Sequence, residues 1–191
     1  MHGIAGTSFA MIARRAGLTP AMVDYYFKDR DRFLDAVVEE RFLEFVSHIW
    51  EPVRSEADAA QMIRAIVERA IEGIEKMPWV PSTWVREILN EGGLLRERML
   101  HRLPFDKARL LAHAIARGQR DGSLNPEVDP LLVASSALGL VMLHTATMKT
   151  WAKAFKREPL ARRVLQRHIT GLLLDGLCHE GTAKPKTVSL K

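Results

Sequence analysis

Cysteine is nearly absent from this chain, because Cys178 is the single one among 191 residues. One cysteine excludes an internal disulfide framework and a zinc site built from cysteines, and it is typical of a reducing compartment. The N-terminus also lacks a basic stretch followed by an apolar one, so no secretory signal is visible. We therefore expect a cytoplasmic protein in which Cys178 is packed in a helix rather than reactive.

The motifs of common catalytic and cofactor sites are absent as well. The seven histidines are scattered, and none repeats at the spacing of a metal-binding His-x-x-x-His pair. There is no Gly-x-Ser-x-Gly elbow, no phosphate-binding glycine loop and no dinucleotide fingerprint. Arg86 and Glu87 are adjacent, and a solvated helix face explains them better than acid/base work. We expect no enzymatic activity, no metal and no cofactor.

The net charge of +5, with a sequence pI near 9.6, is typical of a protein with a nucleic-acid partner. Its distribution weakens that inference, because residues 1–34 hold five Lys/Arg against three Asp. The stretch 149–168 holds seven Lys/Arg against Glu158 alone. Charge by itself therefore supports DNA binding only weakly.

The longest apolar run extends from Leu131 to Met148. It contains serine, threonine and histidine, and Lys149 follows it directly, so we interpret it as a buried helix rather than a membrane span.

Residues 8–34, SFAMIARRAGLTPAMVDYYFKDRDRFL, have the pattern of two short helices, a tight turn and the start of a third helix. In the first, Ser8 can cap the N-terminus and the apolar residues recur at helical spacing. Gly17 supplies the positive φ that ends a helix at low cost. Thr19 can cap the second helix, with Pro20 in its first turn.

On the second helix, Val23 and Phe27 are four residues apart and are predicted to point inward. The remaining apolar and aromatic side chains would then face outward, which is unusual for a solvated surface and suits a DNA groove. Helix, glycine turn and helix together match the helix-turn-helix plan, whose second helix enters the major groove. An ordinary helical hairpin has the same spacing, so spacing alone leaves both interpretations open.

The amino-acid sequence of this stretch resembles the DNA-binding signature of TetR-type transcriptional regulators. The shared features are the Ile-Ala-x-x-Ala-Gly turn at 12–17, the Tyr-Phe that ends the recognition helix, and the basic-acidic start of the linking helix. The phrase GQRDGSLNPEVDP at 118–130 is similar to the body of that family. The resemblance implies base contacts by Thr19, Pro20, Ala21 and Met22, and phosphate contacts by Thr7, Tyr25, Tyr26, Lys28 and Arg30.

The sequence departs from the family at three places, one of which is the tip Pro20, Ala21 and Met22, where no side chain can form a bidentate hydrogen bond to a base. Members of the family share a further helix before the motif, and residues 1–7 would span only about 10 Å as helix. Either the true start lies upstream, or the three-helix bundle is incomplete and the apolar faces at Phe9 and Ile12 are partly uncovered. The third departure is Asp24, where the family most often has a phosphate-holding tyrosine. An acid there repels phosphate unless it turns toward Arg15 or Lys28.

The rest of the chain predicts helices only, so the fold class is all-α, with a DNA-binding head at 1–34, a ligand-binding and dimerisation body at 35–178 and a disordered tail at 179–191. One helix should run from near Asp31 to Trp50, and Asp58 should cap another that ends at Lys76. Ser82 should cap a short helix, and another should begin near Leu94 and break at Pro104. The predicted inner faces are Leu34, Val38, Phe42, Phe45 and Ile49, then Met62, Ile66, Ala70 and Ile74, then Leu110, Leu111, Ala114 and Ile115.

The last two helices, predicted at about 130–155 and 159–178, are apolar on broad faces. So small a monomer cannot bury both, and we expect them to pair with their copies as a four-helix dimer interface, which is also how the resembling family dimerises.

A ligand cavity in the body is a further possibility, against the simpler alternative that the same side chains only fill the core. Its candidate residues are bulky apolar side chains and two histidines on the surrounding helices: Trp79, Trp84, Met99, Phe105, His113, Met142 and His144.

The main hypothesis is a homodimeric, ligand-responsive repressor that binds a palindromic operator. The alternative is a dimeric small-molecule-binding or interaction protein that has lost DNA binding with its first helix. An all-helical enzyme ranks third.

Overall fold

The computed structural model describes residues 3–177, and all regular secondary structure within that range is helical. This confirms the predicted all-α class. The predicted tail at 179–191 and Cys178 lie outside the described residues. The α-helices are α1 Phe9–Ala16, α2 Pro20–Phe27, α3 Arg30–Val37, α4 Leu43–Trp50, α5 Ala59–Lys76, α6 Val80–Thr83, α7 Arg96–Leu100, α8 Phe105–Arg120, α9 Pro130–Ala154 and α10 Arg162–Leu177.

Two segments of π-helix interrupt this pattern. The first, Val38–Phe42, joins α3 to α4, so that one long helix carries an irregular turn near its middle. The second, Trp84–Leu89, continues α6. A π segment leaves the ordinary i→i−4 hydrogen-bond ladder, and such segments are frequent at functional sites.

The core of the body forms where α4, α5, α8, α9 and α10 pack together. The α4–α5 contact is close, because a Cβ atom added at Gly73 would lie 2.8 Å from the Phe45 ring. The inner faces predicted for the linking helix and for α5 are buried, as is that of α8 except for the half-buried Leu110. Asp58 caps α5 by accepting the Gln61 N–H at 2.9 Å, as predicted.

α3 begins at Arg30, beside the predicted start near Asp31, and Asp29 caps it because its carboxylate accepts the Arg32 N–H at 2.8 Å. Three other predicted helix starts were wrong by two or three residues. Ser82 lies inside α6, where its hydroxyl donates to the Trp79 carbonyl. α7 begins at Arg96 instead of Leu94, because its first turn uses the Leu95 carbonyl, which accepts the Met99 N–H. The last helix begins at Arg162 instead of Pro159, since its first turn uses the Ala161 carbonyl, which accepts two N–H groups.

Among residues 3–177, α9 is the one helix long and apolar enough to cross a membrane by length and composition, with a mean hydropathy of 1.7. The prediction that this helix is buried was right for one face only. Val133, Ala137 and Val141 are buried, but Leu132 and Leu143 are more than half exposed. Within residues 3–177, no neighbour covers the outer face of α9 at these two leucines.

Candidate nucleic-acid interface and body cavity

The turn between α1 and α2 is built by local hydrogen bonds that the sequence provides. Gly17 has φ of 69°, which lets the Leu18 N–H reach back to the Ala13 carbonyl at 2.9 Å and closes α1. Thr19 then accepts the Met22 N–H at 3.3 Å and caps α2, with Pro20 at the first helical position. These contacts fix the direction in which α2 leaves the turn.

One face of α2 packs inward and the other is open to solvent. Val23 is 3% exposed, whereas Tyr25 and Tyr26 are 80% and 72% exposed. The four residues at the tip, from Thr19 to Met22, are also exposed. All six residues of α2 and its cap that the sequence assigned to DNA are therefore exposed to solvent.

Three aromatic rings hold α1 and α2 on α3. Phe33 lies at the centre, with ring centroids 5.6 Å from Phe9 and 4.9 Å from Phe27, both edge to face. The orientation of the exposed α2 face is therefore set by the start of the helix that leads into the body.

Lys28 occupies a tight turn between α2 and α3. Its φ is 60°, which non-glycine residues rarely adopt, and the Asp29 N–H donates across it to the Phe27 carbonyl at 2.6 Å. The turn places Lys28 directly after Phe27, the last residue of α2, and its side chain is exposed.

Arg30 and Thr7, two of the residues expected at phosphates, form hydrogen bonds within the protein. The Arg30 guanidinium donates to the backbone carbonyls of Thr7, at 3.0 Å, and of Ile4, and its side chain stays exposed. The Thr7 hydroxyl donates to the Gly3 carbonyl at 2.6 Å. In this arrangement Arg30 fastens the segment 3–7 against α3.

The same segment contacts the body through Glu87. This carboxylate is 8% exposed and accepts the Ile4 N–H at 3.5 Å and the Leu94 N–H at 3.3 Å. The sequence-based interpretation of Glu87 as part of a solvated face was therefore wrong, because two backbone donors from distant segments cover it.

A groove of about 390 Å³ lies between the segment 3–7, α1 and α3. Phe9, Ile12, Phe33 and Val37 supply its apolar wall, and all four are half-buried. The apolar side of the head is therefore only partly covered by the described residues.

A second cavity, in the body, has a volume of about 280 Å³. Its walls come from α4, α8, α9 and the second π segment, and nearly every side chain is apolar. It reaches the surface where Leu89, Phe105 and Leu131 are more than half exposed. None of the described residues that line it is Asp, Glu, Lys, Arg or His.

Three of the seven candidate ligand residues line this cavity, namely Trp84, Phe105 and Met142. The other four lie elsewhere. Trp79 packs edge to face on Phe42, Met99 is the buried residue of α7 and His113 is exposed on α8. His144 faces His168 with ring centroids 5.8 Å apart, and its Nδ1 lies 2.7 Å from the Leu140 carbonyl oxygen.

Sequence reasoning missed the α4 side of the cavity, formed by Phe45, Val46, Ile49 and Trp50. Helical spacing predicted a core face for Phe45 and Ile49, and that prediction was correct, but it did not include Val46 and Trp50, which are buried as well. Only the position of α9 opposite them leaves space, and no periodicity in a sequence reports such a gap.

The exposed apolar residues of the body concentrate on α9 and α10. Leu132 and Leu143 on α9, with Val164 and Leu172 on α10, are each at least half exposed. Exposed patches of this kind typically mark sites of association.

Comparison with known proteins finds relatives that are named as transcriptional regulators. No family model matches the chain. A relative named HTH-type transcriptional regulator BetI, from Paraburkholderia xenovorans, is 26% identical over 162 residues, which cover 78% of this chain and 80% of the relative.

Solved structures share the fold. The crystal structure of AibR in complex with isovaleryl coenzyme A and operator DNA has a TM-score of 0.69 and 21% identity, covering 90% of this chain and 89% of that one. The TetR family regulator PfmR from Thermus thermophilus has a TM-score of 0.61 and 20% identity, covering 91% of this chain and 90% of that one. Similarity at this level of identity establishes the fold.

Proposed function

We propose that this chain, which has the TetR-type fold and resembles TetR-type regulators in its helix-turn-helix motif, is a DNA-binding transcriptional regulator. The observation that carries the proposal is the exposed face of α2, with Thr19, Met22, Tyr25 and Tyr26 on one surface. Its protein partner is a second copy, its DNA partner is a palindromic operator, and its location is the cytoplasm. The proposal assigns the chain no enzymatic step.

The chemistry of the α2 tip limits how it reads bases. Pro20, Ala21 and Met22 carry no side chain that can form a bidentate hydrogen bond to a base edge. Specificity then comes from contacts with thymine methyl groups and from DNA shape, while Tyr25, Tyr26 and Lys28 bind phosphates.

Dimerisation supplies a second copy of α2, which would bind the second half-site of the operator. The apolar faces of α9 and α10 are open in the protomer, and covering them with the same faces of a second copy gives a two-fold four-helix interface. A two-fold protein dimer requires a DNA site with two-fold symmetry.

The body cavity is the basis for proposing a small-molecule effector. The chain would act as a repressor that releases its operator when the effector fills this cavity. The cavity's apolar walls and its lack of charged side chains favour a neutral, apolar ligand or the apolar part of a larger one. The AibR structure, which shares this fold, holds isovaleryl coenzyme A together with operator DNA.

A gel-shift experiment with the DNA upstream of the gene tests the proposal at about 50 and 200 mM salt. We expect sequence-selective binding that weakens with salt and is lost when Tyr26 and Lys28 are both changed to Ala. Lys153→Ala is the matched control, because Lys153 is exposed at the far end of α9 and the change removes the same charge. Binding that survives loss of Tyr26 and Lys28 would contradict the assignment of α2.

The alternative function, a dimeric ligand-binding or interaction protein without DNA binding, is favoured by one observation. The groove beside Phe9 and Phe33 leaves the apolar side of the head partly open. A folded dimer that shifts no DNA at either salt concentration would select this alternative.

A further inference from the structure

Two arginines after the second π segment form ion pairs with the helix that leads out of the head. Arg98 donates from Nε to Asp35 at 2.9 Å and from Nη2 to Asp31 at 2.6 Å. Arg102 donates from Nη2 to Glu39 at 3.1 Å. The three acids follow one another at intervals of four on one face of α3 and the π segment after it. Arg98 and Arg102 are called the arginine ladder below.

The arginine ladder is connected to α2 through α3, which carries the acids that Arg98 binds. α3 begins two residues after Lys28, and Phe33 on α3 holds both Phe9 and Phe27. Any change in the position of α3 therefore moves α1 and α2 with it.

The arginine ladder is also connected to the body cavity. Leu103, Pro104 and Phe105 directly follow Arg102 and line that cavity. The Arg98 and Arg102 guanidinium groups also donate to the carbonyls of Leu94 and Arg98, both at 2.9 Å, so the segment 94–102 is braced internally. A ligand that displaces Phe105 would shift a stiff unit rather than a loose loop.

The π segment Val38–Phe42 lies between these two connections. On its C-terminal side, α4 contributes Phe45, Ile49 and Trp50 to the cavity wall. On its N-terminal side, α3 forms ion pairs with Arg98. Glu39, the partner of Arg102, is inside the segment. A π segment is a point where a helix can change its hydrogen-bond register without unfolding.

These ion pairs contribute little to stability. The Asp31 and Glu39 side chains are 81% and 58% exposed, and water screens the attraction between exposed charges. The role of the ion pairs is to position α3 relative to the segment 94–102. Two hydrogen bonds from the Arg98 guanidinium fix both the distance and the orientation between them.

We propose that Arg98 and Arg102 are positioning residues that couple the body cavity to the DNA-binding head, with the π segment Val38–Phe42 as the hinge. The inference deepens the proposed function and rests on it for its biological role. The ladder holds α3 at a set angle to α4, and filling the cavity shifts the segment 94–102 and the head together.

Spin labels on α2 and α5 test this coupling without DNA. The labels are attached at two exposed positions, Ala21→Cys and Glu68→Cys, in a Cys178→Ser background that removes the native cysteine. Labelled protein is mixed with an excess of unlabelled protein, so that distances between protomers contribute little to the signal. Pulsed electron paramagnetic resonance then gives the head-to-body distance distribution, with and without decan-1-ol as an apolar probe. Tryptophan fluorescence reports probe binding, because Trp50 and Trp84 line the cavity.

We expect a narrow distribution that decan-1-ol shifts. Changing both Arg98 and Arg102 to Gln should broaden it and abolish the shift, while thermal unfolding changes little. Arg162→Gln is the matched control, because it removes an ion pair between α10 and α5, to Glu75 at 3.0 Å, that does not involve α3.

Exchanging the charges of Arg102 and Glu39 distinguishes an effect of the ion pair from an effect of losing the arginine side chain. Arg102→Glu should broaden the distribution, and adding Glu39→Arg should narrow it again. A double Gln variant with the parent's distribution would overturn the proposal, as would a parent whose distribution stays fixed while the fluorescence reports bound probe. Neither result depends on whether the protein binds an operator.

Discussion

At the scale of single residues, Lys28 meets two conflicting requirements. The turn after α2 needs a positive φ, which glycine adopts without strain and a side chain adopts at a cost of about 1–2 kcal/mol. The proposed phosphate contact needs the ammonium group, which glycine lacks. Backbone strain retained at one position is typical of a functional site.

Lys28→Gly and Lys28→Ala separate these requirements. Both remove the charge and should weaken DNA binding to a similar extent. Only Gly removes the strain, so Lys28→Gly should be more stable than Lys28→Ala by about 1 kcal/mol in urea unfolding. Equal stability of the two variants would show that the turn does not impose a positive φ in solution.

Residues whose role is local were predictable from the sequence. Gly17, Thr19 and Val23 lie where the turn, the cap and the helical period place them. Glu87 was not predictable in this way, because its burial depends on backbone donors at Ile4 and Leu94, which only the folded chain brings to it.

At the scale of elements, the close contact between α4 and α5 depends on Gly73. The Phe45 ring fills the space that a Cβ atom would need, and Phe45 is itself 1% exposed. The ring therefore has little room to move away.

Gly73→Ala should destabilise the protein by about 1 kcal/mol. Overpacking costs about 1–3 kcal/mol, and the better helix propensity of Ala returns about 1 kcal/mol. Urea unfolding measures the change, with Gly92→Ala as control because nothing lies within 4 Å of its Cβ position. A Gly73→Ala protein as stable as its parent would mean that α4 and α5 pack less closely than described.

The helices and their inner faces follow from sequence periodicity, but the π segments and the cavity do not. Both depend on how neighbouring elements fit together. His113 illustrates the limit: Leu111, Ala114 and Ile115 occupy the inner face of α8, which leaves His113 in solvent.

Two alanines on α8 give a test of the cavity. Ala108 lines it, whereas Ala116, also half-buried, faces a different and shallower groove. Ala108→Leu should fill part of the cavity and weaken decan-1-ol binding severalfold, as measured by tryptophan fluorescence. Ala116→Leu should bind like the parent, and equal weakening by both changes would place the probe elsewhere.

For the whole molecule, the proposed dimer interface is formed by the open faces of α9 and α10. Leu172 is 54% exposed in the protomer, so its side chain is not needed for the protomer to fold. In the proposed dimer it is covered by the second copy.

Leu172→Glu should therefore convert the dimer to a monomer, because it places charges in an apolar two-fold interface. Sedimentation velocity measures the mass and circular dichroism checks the helix content. Tyr25→Ser, which changes an exposed apolar residue of the head, should remain dimeric. A Leu172→Glu protein that stays dimeric would assign the interface to another face.

In the proposed function, a dimer of this chain reads DNA through the exposed face of α2. Repeated selection of bound duplexes from a random DNA library tests this function without knowledge of the natural operator. We expect enrichment of a sequence with two-fold symmetry, with half-sites separated by about one helical turn or a multiple of it, and no enrichment by the Tyr26→Ala, Lys28→Ala variant. A folded parent dimer that enriches no sequence, or one without two-fold symmetry, would contradict the proposed function.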